Sequence, residues 1–535
     1  MTAAVAASQP NLYSSAGKHN PWLIAVVLSI ATFMEVLDIT IANVALRNIA
    51  GSLAASFDQS TWILTSYLIA NAVILPLSGW LATIIGRKRF YMGCVATFTL
   101  ASFLCGMAWN LSSLIVFRIL QGLGGGGLAS SEQAILADTF PPEKRGQAFA
   151  IYGVAVVVAP TIGPTLGGWI TDNASWHWVF FINIPMGLLS LLLVNWLVQE
   201  PVATERERQK LLSQGTRIDY LGFVLVALGL GCLEVVLDEG ERNDWFSSSF
   251  IVTFAIISAV SLVAMVLWEL RCKAPVVDIR LLGERQFGTC FLLMLVVGAI
   301  LIGTTQLVPQ LLQTQFGYTA TLAGLALSPG GAIMIVMMPV AGLLSGKVQP
   351  RWLVALGLVI TAFAMWYPTR LDGQITLVWA AGIRLLLSLG LPFLFLPLTA
   401  ASYTGLDQSR TSQASALFNV ARNLGGSFGV AATQTLMQQR EQFHHTRLIE
   451  HITPTVPNFQ NALSDLTAYF VAHGSTAAVA GHQAIAWMAN TIDRQAALLS
   501  FIDVSWVFMV TAIVVLPLAL VLRPIPLDKS PAAPS

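Results

Sequence analysis

Long apolar runs separated by short polar stretches make up most of this 535-residue chain. The hydrocarbon core of a bilayer needs about 20 consecutive apolar residues per helix. Runs of this kind lie near residues 21–46, 60–82, 90–109, 112–137, 147–170, 178–199, 219–238, 249–270, 287–312, 321–345, 352–369, 375–401, 412–437 and 500–522. The pattern predicts an all-α polytopic membrane protein with 14 transmembrane helices.

Basic residues divide unevenly between the two sets of loops that this order creates. With the N-terminus inside, the cytoplasmic loops hold most of the 28 lysines and arginines, including Arg87, Lys88, Arg89, Lys144 and Arg145. The opposite side holds Arg47, Arg242, Arg370, Arg440, Arg447 and Arg494. By the positive-inside rule we expect both termini in the cytoplasm. The N-terminus lacks a cleavable signal pattern, so the first apolar segment is expected to stay as a span.

Composition narrows the class of protein further. The chain is 55% hydrophobic and 10% charged, whereas soluble domains are about 25% charged. A net charge of +1 gives no field that would attract nucleic acid. The five cysteines are scattered, without the spacing of a metal or redox site. The histidines at 444, 445, 451, 473 and 482 also lack ligand spacing, so we expect a solvated helix face there and no metal site.

An internal repeat with an offset of 263 to 266 residues links helix-deforming positions in the two parts of the chain. It places Pro76 on Pro339, Gly79 on Gly342, Arg118 on Arg384, Gly124 on Gly390 and Gly163 on Gly429. Parallel repeats of this kind build many secondary transporters, with a substrate site between the halves near the bilayer midplane. The predicted organisation is a cytoplasmic tail 1–20, a six-helix half 21–199, a cytoplasmic linker 200–218, two inserted helices 219–270, a second six-helix half 287–522 that includes a polar external segment 438–499, and a cytoplasmic tail 523–535.

Ionisable side chains inside spans are costly, about 2.5–3.5 kcal/mol each on insertion scales, so each is a functional hypothesis. Glu35 and Asp38 share one face of the first span. Arg118 and Glu132 in the fourth span are about 21 Å apart along the helix, too far to pair. Asp38 and Glu132 are each interpreted as a proton-coupling group or an interhelical hydrogen-bonding group, and Glu35 lines a cavity or reaches the membrane surface.

Burial of a carboxyl in an apolar cavity favours its protonated form, whereas a cationic substrate in the same cavity favours the ionised form. Competition of that kind would constitute proton antiport. Serine and glutamine neighbours of Glu132, namely Ser130, Ser131 and Gln133, could solvate it locally.

Two motifs predict deformed or tightly packed helices. The stretch QGLGGGG from Gln121 onward lacks the Lys-Ser/Thr of a phosphate loop, so its glycines are interpreted as sites of bending and close helix packing. The stretch APTIGPTLGG at 159–168 predicts a kinked helix that acts either as a gate or as a merely structural element.

These motifs together resemble those of the major facilitator superfamily, specifically its fourteen-span drug:proton antiporters of the EmrB and QacA type. The similarity lies in LDITIANVAL (37–46), GWLATIIGRKR (79–89), RILQGLGGGG (118–127), APTIGPTLGG (159–168), WHWVFFINIP (176–185), YTATLAGLALSP (318–329) and LFNVARNLGGSFG (417–429). One departure is Thr83, because the loop motif often carries an acid there that latches an arginine. Arg87 must then find another partner, or the inward-closed state is held differently.

The resemblance implies roles for particular residues. Proton coupling would involve Asp38 and Arg118, and we add Glu35 and Glu132 on physical grounds. The antiporter hinge would comprise Ala159, Pro160, Gly163, Pro164, Gly167 and Gly168, and the loop motif Gly79, Gly86, Arg87 and Lys88. The resemblance also implies a bacterial inner-membrane location, a periplasmic EmrA-like adaptor that could dock on segment 438–499, and an outer-membrane TolC-like channel. A simple cap over the cavity is the alternative use of that segment.

The leading hypothesis is proton-driven export of drugs or other toxic amphipathic compounds, with no cofactor beyond the proton gradient. Candidate cavity residues are Asn43, Trp62, Tyr67, Asn71, Gln121, Gln306, Gln310, Gln313, Asn419 and Arg422. The alternative is a dedicated exporter or symporter of one metabolite, such as a fatty acid, siderophore or sugar, for which Arg384 and Arg422 would suit an anionic group. An enzyme is not expected, because no nucleophile–base pair, metal-ligand set or cofactor loop is found in the sequence.

Overall fold

The computed structural model describes residues 20–200, 205, 208–209, 219–272, 275–318, 320–371, 376–407, 410–450, 452 and 457–525. Nearly all of the predicted tail 1–20, most of the linker 200–218 and most of the tail 523–535 lie outside the described residues. His451 and the side chain of Gln306 lie outside them as well.

Helices make up the secondary structure of the described chain. They are α1 (Pro21–Ser52), α2 (Phe57–Ile85), α3 (Arg87–Gly106), α4 (Leu111–Gly125), α5 (Leu128–Thr139), α6 (Pro142–Asn173), α7 (His177–Phe181), α8 (Asn183–Leu197), α9 (Tyr220–Glu239), α10 (Ser249–Glu269), α11 (Arg285–Gln315), α12 (Ala320–Ser345), α13 (Pro350–Trp366), α14 (Leu377–Ser402), α15 (Thr411–Glu450), α16 (Pro457–Ala472) and α17 (Ala477–Leu520). The boundaries reflect local signals: Ser56 caps α2 with a reciprocal bond to Gln59, and Asn110 caps α4.

Within the described residues, 13 helical segments are long and apolar enough to cross a membrane. The all-helical membrane fold predicted from the apolar runs is confirmed. The segment predicted at 412–437 forms α15, which is not among the 13 because its helix is much less apolar. It nevertheless packs inside the bundle against α11, α17 and α2. Its polar residues therefore face other helices, which is why a purely apolar criterion misses it.

The glycine run interrupts the fourth predicted span. One helix ends at Gly125 and the next begins at Leu128. A Cβ atom at Gly126 would lie 2.0 Å from Ile74 Cγ2, and one at Gly127 would lie 2.5 Å from Cys94 Sγ. The predicted bending and close packing are confirmed, because only glycine allows α2 and α3 to approach this break.

Contacts among the helices group around two centres. Helix α1 packs on α6 while α2 and α3 pack on α4; in the later part of the chain α11 packs on α15, α12 on α14 and α13 on α17. The two groups are joined by contacts of α6 with α12 and α14, and of α2 and α5 with α15. The inserted helices α9 and α10 pack on each other, and α9 also contacts both α2 and α15.

The two groups meet tightly at the end of the bundle that carries Arg87, Lys88, Arg89, Lys144 and Arg145, here called the basic end. A Cβ atom at Gly79 would lie 2.8 Å from Gln413 Cα, and one at Gly146 would lie 2.7 Å from Ser345 Cβ. Glycine at both positions lets backbones from the two groups touch, so the bundle is closed at the basic end.

Most of the described residues of the external segment predicted at 438–499 are helical. Helix α15 runs on to Glu450, α17 already begins at Ala477, and α16 lies between them and packs on α17. The last two spans therefore extend as long helices beyond the apolar region. In α15 the polar continuation up to Glu450 contains no proline or glycine that would end the helix.

The contact at Gly79 gives a test of the closed state. Gly79→Val places methyl groups against the backbone of Ser412 and Gln413, where normal carbon–carbon contacts need about 3.5–4.0 Å. We expect the closed population to fall, so that electron–electron resonance distances between spin labels at Arg89 and Trp352, in a background without native cysteines, shift to longer values. Gly93→Val is the matched control, because a Cβ atom there meets nothing within 4 Å. An unchanged distance distribution for Gly79→Val would contradict a tight contact at this glycine.

Candidate functional site

A fully buried polar cluster joins α1, α4 and α8. Asp38 Oδ2 accepts a hydrogen bond from Arg118 Nη1 at 2.6 Å, and Asp38 Oδ1 accepts from Gln121 Nε2 at 2.9 Å and from Asn183 Nδ2 at 2.7 Å. None of the four side chains is exposed. Because both carboxylate oxygens are bonded and the charge faces a guanidinium, the cost of burying this ion pair is offset.

Arg118 is held by several groups besides Asp38. Its Nε donates to the carbonyl oxygen of Ile63 at 3.1 Å, and its guanidinium carbon lies 4.4 Å from the centre of the Tyr67 ring. Gln121 Oε1 accepts from Arg118 Nη1 at 2.8 Å. Gln121, predicted to line the substrate cavity, therefore lies within the Asp38–Arg118 cluster.

Glu35 lies one turn from Asp38 but contacts a different helix. Its Oε1 accepts hydrogen bonds from Asn71 Nδ2 at 3.2 Å and from the Tyr67 hydroxyl at 3.5 Å, both on α2. The side chain is buried and does not extend to the membrane surface. Of the two interpretations drawn from the sequence, the geometry favours a position facing the interior of the bundle.

From Glu35 a line of polar groups crosses to the second half. Asn423 Nδ2 donates to Asn71 Oδ1 at 3.4 Å, and the neighbouring Arg422 donates from Nη1 to the Tyr152 hydroxyl on α6 at 2.7 Å. Three predicted cavity residues, Tyr67, Asn71 and Arg422, are thus brought together near Glu35.

Glu132 is fully buried on α5 and takes its partners from α1. The Ser29 hydroxyl donates to Oε1 at 2.9 Å, and the Thr32 hydroxyl donates to Oε2. The expectation that Ser130, Ser131 and Gln133 solvate it is wrong, since no hydrogen bond joins any of them to Glu132 among the described residues. The reason is helical geometry, because residues adjacent in sequence point to different sides of α5.

The neighbours of Glu132 instead bind the second half. Ser130 accepts from the Ser415 hydroxyl through its carbonyl oxygen at 2.5 Å, and Gln133 Oε1 accepts from Asn419 Nδ2 at 2.9 Å. Asn419, predicted to line the cavity, is fully buried in this contact. Helix α5 therefore holds a buried carboxyl on one side and the contact between halves on the other.

Position 83 carries a threonine, so Arg87 needs an acidic partner elsewhere. The basic end provides one. Arg87 forms an ion pair with Asp138 at the end of α5, and both side chains are at least 95% buried. Thr83 donates its hydroxyl to the Gly79 carbonyl within its own helix at 2.9 Å. The arginine of the loop motif therefore still forms an ion pair, but its acidic partner lies on α5. Lys88 Nζ donates to the Asn195 carbonyl at 2.8 Å, and Gly86, at a φ of +100°, abuts Glu200.

The predicted hinge lies within α6 and faces α1. Pro160 and Pro164 are inside the continuous helix, and Ala159 is fully buried. A Cβ atom at Gly163 would lie 2.7 Å from Thr40 Cβ, and one at Gly167 would lie 3.0 Å from Ile41 Cγ2, while Gly168 faces open space. Two of the three glycines therefore serve close packing on α1.

The other predicted cavity residues do not gather at one place. Trp62 is partly buried, whereas Asn43, Gln310 and Gln313 are exposed. The cavity described by these residues stays a prediction.

Sequence reasoning overlooked the acids of the inserted helix α9. Glu234 Oε1 accepts from the Ser427 hydroxyl on α15 at 2.8 Å, and Asp238 accepts from the Thr65 hydroxyl on α2. One turn apart on α9, these carboxyls contact opposite halves. The signal was present in the sequence, since acids inside an apolar run deserve the same attention as Glu35 and Asp38.

Over the described part of the chain, no group of His, Cys, Asp and Glu is placed to hold a metal ion. The histidines of α15 bind acids of α17 instead: His444 Nε2 lies 2.7 Å from Asp503 Oδ2, and His445 Nε2 lies 3.1 Å from Asp493 Oδ1. Arg440 Nε also donates to Asp503 Oδ2 at 2.6 Å. These polar pairs hold the extensions of α15 and α17 together.

Comparison with known proteins identifies the family and several similar export proteins. Residues 28–430 match the model of the Major Facilitator Superfamily. The chain is 40% identical over 485 residues to a multidrug export protein, EmrB, of Haemophilus influenzae, covering 90% of this chain and 92% of that protein. It is 37% identical over 486 residues to EmrB of Escherichia coli K12, covering 90% and 92%. It is also 37% identical over 503 residues to the fatty acid resistance protein FarB of Neisseria gonorrhoeae, covering 94% and 96%.

Solved structures agree at the level of the fold. The proton:xylose symporter XylE matches with a TM-score of 0.56 at 15% identity, over 89% of this chain and 94% of that one. A bacterial homologue of the lysosomal transporter Spinster, in an inward-facing and occupied conformation, matches with a TM-score of 0.51 at 18% identity, over 94% and 97%.

The ion pair between Arg87 and Asp138 predicts a large effect on stability. Asp138→Asn leaves the buried guanidinium uncompensated, and removing one partner of a buried pair costs about 3–5 kcal/mol. We expect a clearly lower midpoint in thermal unfolding of the detergent-solubilised protein, with partial recovery in the exchanged pair Arg87→Asp/Asp138→Arg. Arg89→Gln, at an exposed neighbour, should unfold as the unmodified protein does. Equal midpoints for Asp138→Asn and the unmodified protein would show that the pair adds no stability.

Proposed function

Because this chain belongs to the Major Facilitator Superfamily and to its EmrB-type transporters, we propose that it exports drugs or other toxic amphipathic compounds across the bacterial inner membrane in exchange for protons. Membership of the family makes the chain a multi-pass transporter rather than an enzyme. The multidrug export named for the similar EmrB proteins of Haemophilus influenzae and Escherichia coli supports the class of substrate.

The position of Glu132 is the main support for the proposed proton coupling. Its carboxyl is fully buried and bonded only to two hydroxyl groups among the described side chains, Ser29 and Thr32. A hydroxyl group can accept a hydrogen bond from a neutral carboxyl or donate one to an ionised carboxyl, so both protonation states of Glu132 can be accommodated. On either side of Glu132, Ser130 and Gln133 hold the second half.

A change of charge at Glu132 would therefore act on the element that joins the halves. An ionised carboxyl at this depth requires water or a counter-charge, which the closed basic end excludes. The carboxyl therefore keeps its proton while the basic end is closed, and it releases the proton to the cytoplasmic side only once α5 separates from α15 and the basic end opens. This is the coupling that alternating access requires.

The Asp38–Arg118 cluster is assigned a second role in the same cycle. Its ion pair fixes α1 against α4, and Glu35, one turn along α1, faces Tyr67 and Asn71. We assign Glu35 to the proton pathway between the cavity and α1. We assign Asp38 to fixing the position of α1, the helix that carries Glu35. The predicted hinge at 159–168 packs on α1 at Thr40 and Ile41, close to Asp38 in the sequence.

Location and partners complete the proposal. With the basic end in the cytoplasm, both termini lie there, and the extensions of α15, α16 and α17 project on the opposite side. These extensions offer a docking element for an EmrA-like periplasmic adaptor, itself joined to a TolC-like outer-membrane channel. No cofactor is required besides the proton gradient.

A second candidate function is the dedicated export of one metabolite. The similarity to a protein named for fatty acid resistance covers 94% of this chain. This similarity favours a fatty acid over a sugar or siderophore as the metabolite.

Proton release on substrate binding tests the leading proposal. The purified protein in weakly buffered detergent solution, with a pH-sensitive dye, is expected to release protons on addition of tetraphenylphosphonium or laurate. Glu132→Gln removes the carboxyl while keeping its size, so we expect proton release to fall about tenfold or more. Asp38→Asn leaves Arg118 without its counter-charge and should abolish vesicle transport.

The matched control is Asp172→Asn, which removes an exposed carboxyl of α6 and should leave proton release unchanged. If neither substrate displaces a proton from the unmodified protein, or if Glu132→Gln and Asp38→Asn both behave as the control does, proton antiport through these groups is wrong.

A further inference from the structure

Arg384 on α14 is a buried base in the second half of the bundle. Its Nη1 donates to the Thr305 hydroxyl on α11 at 3.0 Å, and the side chain keeps 7% of its surface accessible. No acid lies within ion-pair distance of it among the residues that the structure describes. A guanidinium at this depth without a counter-charge is costly, which makes a purely structural role a poor explanation.

Arg118 shows how the same problem is solved in the first half. The repeat places Arg118 and Arg384 at equivalent positions, and each faces the first helix of its own half. Arg118 meets Asp38 there and is entirely inaccessible, whereas Arg384 meets the neutral Thr305 and stays partly accessible. The second half therefore keeps a positive charge that the first half cancels.

Two further features surround Arg384. Ser388, one turn further along α14, is fully buried, and its hydroxyl has no hydrogen-bond partner in the described part of the protein. Gly330 on α12 lets both side chains lie against that helix, since a Cβ atom there would lie 2.5 Å from Arg384 Cγ and 2.8 Å from Ser388 Oγ. The next residue, Gly331, contacts Thr161 of α6, so this part of α12 adjoins the first half.

We propose that Arg384, with the hydroxyls of Thr305 and Ser388, forms a subsite for the anionic headgroup of an amphipathic substrate, a carboxylate in the first instance. A guanidinium presents paired N–H groups that match a carboxylate, and hydroxyls can satisfy its remaining lone pairs. The same chemistry would recognise a lipid phosphate, which the test below separates. The inference rests on the proposed export function and adds the charge of the substrate to it.

Arg422 on α15 differs from Arg384 in its surroundings. It hydrogen-bonds Tyr152 and Asn423, but it also lies near enough to the Glu35 carboxyl to interact with its charge. Arg384 has no acid in ion-pair distance among the described residues, so a cationic headgroup would be repelled from it.

Binding of matched amphipaths tests the subsite. The full-length protein in phosphatidylcholine nanodiscs is titrated with laurate and with dodecyltrimethylammonium, which share a chain length and differ in charge. Arg384→Gln should weaken laurate binding about tenfold or more and change dodecyltrimethylammonium binding less than about twofold. Arg384→Lys should recover part of the laurate affinity, because it restores the charge without the paired geometry.

Ser388→Ala and Gly330→Ala extend the test while keeping Arg384. Both should weaken laurate binding severalfold, the first by removing a donor and the second by displacing the arginine and serine side chains. They also carry the test if Arg384→Gln does not fold, as judged by its thermal midpoint. Arg370→Gln, at an exposed arginine in the same half, is the matched control and should bind laurate normally.

The remaining outcomes are distinct. Laurate affinity that is unchanged in Arg384→Gln, Ser388→Ala and Gly330→Ala overturns the subsite. Competition of phosphatidylglycerol with laurate, lost in Arg384→Gln, would assign the subsite to a lipid headgroup and overturn the substrate reading. Proton release measured in parallel separates the two proposals: laurate binding that depends on Arg384 without any proton release sustains the subsite and refutes antiport.

Discussion

Arg118 and Asp38 form an ion pair from which water is excluded, and the arrangement of the first half depends on it. The pair joins α4 to α1, Asn183 adds α8, and the guanidinium lies over the Tyr67 ring of α2. Four helices are thereby tied to one buried charge pair. Since an unpaired charge at this depth is far more costly than a paired one, these helices are expected to move together, and motion between halves is left to their contacts with the second half.

Helix α5 is where those contacts and the buried acids meet. Gly126 and Gly127 separate it from α4, the helix that carries Arg118 and Gln121 of the Asp38–Arg118 cluster. Glu132 joins α5 to α1, Asp138 joins it to α3 through Arg87, and Ser130 and Gln133 bind α15. A short, separately hinged helix with a titratable group at its centre is a suitable means of turning protonation into movement.

Much of this was predictable from the sequence, and the parts that were not share a physical cause. Apolar runs gave the membrane helices, and glycine spacing gave the break after α4, because both depend on local chemistry. The partners of Glu132 and Arg87 were not predictable, since Ser29, Thr32 and Asp138 come together only through packing of helices distant in sequence. Helix α15 was found despite its polarity, but where its helix and that of α17 extend into 438–499 was not predictable, because polar sequence carries no apolar run to mark the ends of a helix.

The two halves, related by repeat, distribute charge differently. The first half carries Glu35, Asp38 and Glu132, and each of its buried arginines, Arg87 and Arg118, is paired with an acid. In the second half, the hydrogen-bond partners of Arg384 and Arg422 are hydroxyl, amide and phenol groups among the described residues. The inserted helix α9 touches both halves through Glu234 and Asp238 and so adds acids at their seam. Protons and an anionic substrate would then use opposite walls of one transporter. A repeat that diverged in charge while keeping its helices would thus place the proton-binding groups and the anion-binding groups on different halves.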